Sequence, residues 1–402
     1  MGNPPDVELP FGPPPPHLKS KRQIRFWQRQ QEESQAKRQK KIDQDPFRYV
    51  ERCFKARAIP PSAMAKVVHT TQLLDDSHCS DVIVPVTLAI DLRQHCSALF
   101  GPPDTQWTPR ARKAYLIKTI PGLIIIPNPF TESAQRHMIK HCLTDFAEPP
   151  NVSSLDGHYE RPAKGVWDLY ERHCQGQLTS DDPDYYTVPV KSNQAPVPTM
   201  YQDDTHNHTH KTSDAAAKRL SPTDLLRKQR WITLGYQYNW QTKEYDLEHG
   251  LPMPDLLDQL SKTIVSAVQG VGLADGWRND YPGDQFKAEA GVINYYQLRD
   301  ALMAHVDKSE VNMEAPLVSA SFGHACIYLI GRTTKETEPI PLCLSSGDVI
   351  VMTGQSRKAY HGVPRILEQT LPSFLDSQHW PLYGGYMDQA RINLNVRQVF
   401  NK

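Results

Sequence analysis

The chain has 402 residues, with 45 Lys and Arg against 45 Asp and Glu, so its formal net charge at pH 7 is zero. Hydrophobic residues make up 39% and charged residues 22%, a balance that allows a large buried core. No apolar run approaches the roughly 18 residues of a membrane span. The opening Met1–Asp6 lacks the apolar stretch of a secretory signal, so an intracellular protein of the nucleus, cytoplasm or mitochondrion is expected.

Residues 1–18 are rich in Pro, and residues 19–57 hold 13 Lys or Arg against five acids. Together, residues 1–57 read as a disordered arm, serving as a nucleic-acid contact, an import signal or a solvated tail. Within it, Gln23–Asp43 lacks Gly and Pro and would tolerate a helix, with few apolar residues to dock it. Residues 58–114 form a turn-rich connector, and a packed domain spans 115–402. There Gly122–Phe130 reads as a short β-rich run ended by Pro, and Thr131 is placed to cap a helix running through His141. Residues 176–222 are polar and irregular, an expected surface insertion that contains His206, His208 and His210. That triplet has no evident scaffold to fix a metal geometry. The seven Cys form no CxxC pair, which leaves no basis for a disulfide framework or zinc ribbon.

From Trp231 onward the texture becomes β-rich. Candidate strands are Ile232–Tyr238, Ala288–Tyr296, Leu317–Ile330, Asp348–Thr353 and Ile392–Val399, with one amphipathic helix over Pro254–Val271. The fold class is mainly β with supporting helices, as in a jelly-roll.

Three elements carry chemistry. His305 and Asp307 are two residues apart, a spacing that shares one face in a strand. His361 follows the strand opened by Asp348, and two His with one carboxylate make a facial triad open to non-haem Fe(II) or to zinc. The third element separates these readings. Arg391, Asn393, Asn395 and Arg397 share one face of an otherwise apolar strand, and two inward Arg require an anion. A dicarboxylate clamped by Arg and chelating iron satisfies them, with Asn294 and Tyr296 beside it.

The pattern Asn294-x-Tyr296, His305-x-Asp307, His361, Arg391-x-Asn393 and Arg397, with Ser356-Arg357 and Tyr360-His361-Gly362, resembles the AlkB family. Wider similarity around Ile126–Phe130, Arg230–Trp240 and Ala288–Tyr296 is strongest to the AlkB homologue one branch. The resemblance implies a double-stranded β-helix and an Fe(II)- and 2-oxoglutarate-dependent dioxygenase. Its reaction would consume molecular oxygen and demethylate or oxidise methylated bases in tRNA, other RNA or DNA. Succinate and CO2 would be released, with formaldehyde from N-methyl groups. It further implies that His305, Asp307 and His361 hold iron, and that Asn294, Tyr296, Arg391, Asn393, Asn395 and Arg397 hold 2-oxoglutarate. Tyr236 and Tyr238 would meet the nucleotide, and Trp167 or Trp231 would stack on the base. Several family members place a base-reading carboxylate two residues beyond the ligand Asp. Here Ser309 stands there, with Glu310 next. A protein substrate such as a histone tail, and a catalytically silent nucleic-acid-binding module, are the alternatives.

Overall fold

The computed structural model describes residues 14–18, 20–75, 79–187, 219–239, 244–274 and 276–400. His206, His208 and His210 lie outside the described residues. The strands, in chain order, are β1 (Val68–His69), β2 (Ile83–Thr87), β3 (Lys113–Ile117), β4 (Leu123–Ile126), β5 (Val152–Ser153), β6 (Trp231–Asn239), β7 (Glu244–Gly250) and β8 (Ala290–Gln297). They continue with β9 (Leu302–His305), β10 (Leu317–Gly323), β11 (Cys326–Ile330), β12 (Ile340–Leu344), β13 (Val349–Met352), β14 (His361–Ile366) and β15 (Ala390–Arg397).

These strands make two sheets. The smaller runs β1-β12-β11-β14-β9, and the larger runs β2-β3-β4-β13-β10-β15-β8-β6-β5, with β7 paired to β6. Alternation along each strand sorts side chains between layers. On β15, Ile392, Leu394 and Val396 join the outer core with Ile139, Leu257, Leu260 and Ile264 of the supporting helices. The intervening Arg391, Asn393, Asn395 and Arg397 face the space between the sheets. Across that space, Leu123, Ile125 and Ile350 of the large sheet pack with Tyr328, Leu342 and Val363 of the small one. The two facing sheets are the double-stranded β-helix that the resemblance implies.

Local chemistry explains the supporting helices. Thr131 Oγ1 accepts from Ala134 N at 3.2 Å and starts the helix Glu132–Leu143 where the sequence places it. The second expected helix is shorter, Asp255–Ala267, because the chain leaves helical geometry after Val268. The run Leu317–Ile330 is two strands in different sheets. Gly323, at φ +88, makes the break, and a Cβ there would sit 2.8 Å from Ala390 O.

Two segments differ from the sequence expectation, the arm and the connector. Residues 21–44 and 46–55 of the expected disordered arm are helical. The second of these helices, Pro46–Lys55, is docked: Phe47, Val50 and Phe54 are buried against Ile327 and Leu329 on the outer face of β11. Its Glu51 accepts from Ala304 N at 3.0 Å, covering the free edge of β9 beside His305. The connector also contributes structure, since β1 pairs with β12 and β2 with β3. The basic composition of residues 19–57 hid an apolar i, i+3, i+7 stripe. Phe54→Ala is expected to destabilise the protein by about 3 kcal/mol or more. Urea unfolding monitored by circular dichroism measures it.

Candidate active site

β9 and β14 are antiparallel neighbours with His305 opposite His361. The two imidazole centroids lie 4.4 Å apart. β9 ends at His305, so Asp307 projects from the following loop rather than from a strand. Its carboxylate is nevertheless 3.5 Å from His305 Nε2 and 3.9 Å from His361 Nε2. Among the described residues, this is the one cluster of three such groups whose ligand atoms all lie within 4.8 Å of one another.

Protonation suits a divalent cation. His305 Nδ1 donates to Met303 O at 2.9 Å, and His361 Nδ1 donates to Ala359 O at 3.1 Å. A carbonyl only accepts, so both Nδ1 atoms carry the proton and both Nε2 lone pairs remain available. Burial, aided by His305, pushes His361 down to about 4 and keeps it neutral. Burial alone would raise the Asp307 carboxyl, but Arg397, His361 and His305 outweigh it and hold the group well below the usual carboxylate range. Two imidazoles with Nδ1 committed to carbonyls and one anionic carboxylate are the donor set of mononuclear iron.

These groups line a cavity of about 1140 Å³ between the sheets. Asn294 and Tyr296 of β8 and Arg391, Asn393, Asn395 and Arg397 of β15 line it too. Arg391 is 1% exposed and donates to His324 O at 2.6 Å and to Ser321 Oγ at 2.7 Å. Among the described residues it forms no ion pair, and its buried Nε has no hydrogen-bond partner. A buried cation in that state fits an acidic ligand. Arg397 is already engaged: its Nη1 lies 2.9 Å from Glu310 Oε1 and 3.5 Å from Asp307 Oδ2. Asn393 Nδ2 donates to Ser319 Oγ at 2.9 Å and Asn395 Nδ2 to Asn393 Oδ1 at 2.8 Å.

The residues expected to meet a substrate divide. Tyr238, Ser309 and Glu310 line the cavity, with the Tyr238 and Ser309 hydroxyls 3.1 Å apart. Tyr236 does not line it and packs edge-on against Phe400, centroids 4.7 Å apart. Trp231 is buried in β6 opposite Asn294 and is not among the lining residues. Trp167 is no base-stacking platform either: it lies stacked against Tyr383, 4.6 Å between centroids, and Tyr383 stacks on Trp380 at the same spacing. This ladder fastens the 366–390 segment to the helix Gly165–Cys174. Glu310 lines the cavity but is not free to read a base. Tyr245 Oη donates to its Oε1 at 3.1 Å, Arg397 also engages Oε1, and Arg357 Nη2 lies 3.0 Å from Oε2.

Comparison with known proteins agrees with this geometry. The 2OG-Fe(II) oxygenase superfamily model matches residues 191–397, just over half the chain. The human "Nucleic acid dioxygenase ALKBH1" is 33% identical over 318 residues, covering 74% of this chain and 68% of that protein. The chain belongs to the AlkB family of 2OG-Fe(II) oxygenases. Two further AlkB-family relatives are 31% identical: the Arabidopsis thaliana "DNA N(6)-methyladenine demethylase ALKBH1A" and the Schizosaccharomyces pombe "tRNA demethylase abh1". The first match covers 71% of this chain and 77% of that protein, the second 71% and 82%. This AlkB-family protein is therefore an Fe(II)- and 2-oxoglutarate-dependent dioxygenase.

Residues that sequence reasoning did not single out complete the oxygenase cavity. Tyr328 of β11 lines it with its ring 5.8 Å from that of His361. Tyr245 of β7 packs against Tyr238 at 5.2 Å. Lys308 and Lys358 also line it and are exposed. Tyr328 was legible, since it alternates with Cys326 on an inward strand face. Tyr245 was not, because β7 departs from the run of strands the sequence made visible. No described helix is long and apolar enough to cross a membrane.

Proposed function

We propose that this dioxygenase oxidises methyl groups on nucleic-acid bases, with His305, Asp307 and His361 as the iron ligands and Arg391 as the anchor of 2-oxoglutarate. The names of the relatives, which act on nucleic acid, tRNA and DNA N(6)-methyladenine, support the substrate class. The observation that carries the reading is the cavity itself. It holds the His305–Asp307–His361 cluster and Arg391, which forms no ion pair among the described residues, and its lining includes exposed Lys308 and Lys358 with Tyr238. Aromatic and cationic groups in one lining suit a base with its phosphates.

Bound iron and 2-oxoglutarate supply the oxidising chemistry, in which oxidative decarboxylation to succinate and CO2 is coupled to attack on a C–H bond. The chain orients and shields. Arg391 pairs with the distal carboxylate, and Asn294, Asn393 and Asn395 offer polar contacts around it. Tyr238 and Ser309 present hydroxyls to the base edge, while the apolar walls formed by Leu317, Ile350 and Val363 exclude water. With Glu310 occupied by two Arg, no carboxylate at that position selects for a base amino group. Exposed Arg22, Arg25 and Arg29 on the helix Lys21–Gln44 give the neutral chain a local phosphate-binding charge.

A competition assay tests the reading. Purified protein with Fe(II), 2-oxoglutarate and ascorbate is offered methylated tRNA, methylated single-stranded DNA and a methylated histone peptide together. Mass spectrometry should show methyl loss from the nucleic acid with formaldehyde released in equal amount. Modification of the peptide alone would overturn the proposal.

A further inference from the structure

Arg357 is among the most deeply buried side chains, at 1% exposed, yet it lies in a short polar turn. The turn Gly354–Lys358 is fixed at both ends of its hydrogen-bonding potential. Thr353 N donates to Ser356 Oγ at 3.0 Å, and Ser356 N donates to Pro121 O at 2.9 Å. From this rigid base the guanidinium reaches the loop after β9. Arg357 Nη1 donates to the backbone carbonyl of Asp307 at 2.9 Å, and Nη2 lies 3.0 Å from Glu310 Oε2.

The other oxygen of Glu310 is 2.9 Å from Arg397, which in turn lies 3.5 Å from the Asp307 carboxylate. The four charges close a ring: Asp307, Arg397, Glu310 and Arg357, then back to the Asp307 carbonyl. Two cations and two anions balance, so the ring is neutral before any ligand arrives. His361 is four residues from Arg357 and ends the same segment, so the guanidinium ties together the two stretches of chain that carry the triad. Asp307 needs such a tie. It sits beyond the end of β9, where no strand ladder sets its position. A flexible donor would have to be ordered at each binding event, and that ordering weakens metal affinity.

We infer that Arg357 is a positioning residue. It holds the Asp307 loop in ligand geometry, and Glu310 couples that loop to Arg397 on the 2-oxoglutarate wall. The inference rests on His305, Asp307 and His361 being the metal ligands. Arg supplies what Lys does not here, a planar fork with one arm hydrogen-bonded to a carbonyl and the other within ion-pair distance of a carboxylate. Two consequences follow for the variants. Arg357→Met should weaken the metal while leaving 2-oxoglutarate affinity at saturating metal nearly intact, because Glu310 still holds Arg397. Glu310→Gln should weaken both, because it removes the shared anion.

The test uses full-length protein and Co(II) as the probe, under argon, with isothermal titration and circular dichroism on each variant. The expected result is a loss of Co(II) affinity of about tenfold or more for Arg357→Met, with a smaller loss for Arg357→Lys. In the presence of excess Co(II), the dissociation constant for 2-oxoglutarate should stay within about threefold of the parent for Arg357→Met and rise about tenfold for Glu310→Gln. If folded Arg357→Lys binds Co(II) as the parent does, the brace is overturned even should Arg357→Met fail to fold. Equal effects of Arg357→Met and Glu310→Gln on 2-oxoglutarate would overturn the coupling role of Glu310. Absence of Co(II) binding by the unsubstituted protein would instead overturn the ligand assignment, and the brace with it.

Discussion

Asp307→Ala is expected to abolish conversion of 2-oxoglutarate to succinate, to below about 1% of the parent rate at any practical Fe(II) concentration. Loss of an outer partner of a metal ligand already lowers affinity by about 10–100-fold, and loss of the ligand itself exceeds that. The protein should remain folded, because Arg397 keeps Glu310 as its ion-pair partner at 2.9 Å. Asp307 is the most sensitive of the three positions for an electrostatic reason. Burial works against its ionisation, yet Arg397 and the two imidazoles hold it ionised. It therefore brings the only anionic oxygen of the triad to the metal. His305→Ala should behave alike, since the register of β9 on β14 leaves no neighbouring side chain to substitute for it. Succinate measured by mass spectrometry, with circular dichroism on the same samples, separates lost chemistry from lost fold.

The second large effect belongs to Arg391. Arg391→Met should raise the KM for 2-oxoglutarate by roughly 30-fold or more, since losing one side of a buried charge pair costs about 2–5 kcal/mol. Arg391 donates to His324 O and Ser321 Oγ but has no ion-pair partner among the described residues. In the parent protein, saturating 2-oxoglutarate with Mn(II) should raise the thermal midpoint by mass action. In Arg391→Met that ligand-dependent rise should shrink to well under half at the same 2-oxoglutarate concentration while the Mn(II)-dependent part remains. A midpoint that climbs with 2-oxoglutarate as far as the parent's would place the anion elsewhere.

These two effects concern the parts of the site that the sequence exposed most clearly, and the reason is periodicity. Arg391, Asn393, Asn395 and Arg397 sit at period two on a strand whose other face is Ile, Leu and Val, so one reading frame reveals both what points inward and that it is charged. The His305-x-Asp307 pair was found with the same rule, although the structure ends the strand at His305 and holds Asp307 by Arg357 instead. That brace was illegible as geometry. Arg357 lies in a turn without period, and its partners are 47 to 50 positions away. Glu310 illustrates the converse: its place in sequence suggested base recognition, and only the convergence of two Arg and Tyr245 shows that its oxygens are engaged.

Aromatic residues misled for a related reason. Trp167 and Trp231 carry no sequence mark that separates a stacking platform from core, and both are buried without lining the cavity. The N-terminal boundary was misplaced because charge dominates the average over residues 19–57, concealing Phe47, Val50 and Phe54. Composition reported the surface of that helix and missed its buried face. The same zero net charge is now resolved into a basic stretch over residues 19–57 and an acidic excess over the rest of the chain, within which Asp307, Glu310, Arg357 and Arg397 form a balanced ring.

The most direct measurement of the site is anomalous diffraction from crystals grown anaerobically with Mn(II) and 2-oxoglutarate. One peak should lie at bonding distance from His305 Nε2, His361 Nε2 and an Asp307 oxygen, with ligand density extending from it to Arg391. A manganese peak away from these three atoms, or 2-oxoglutarate whose distal carboxylate does not meet Arg391, would contradict the assignment of the cavity.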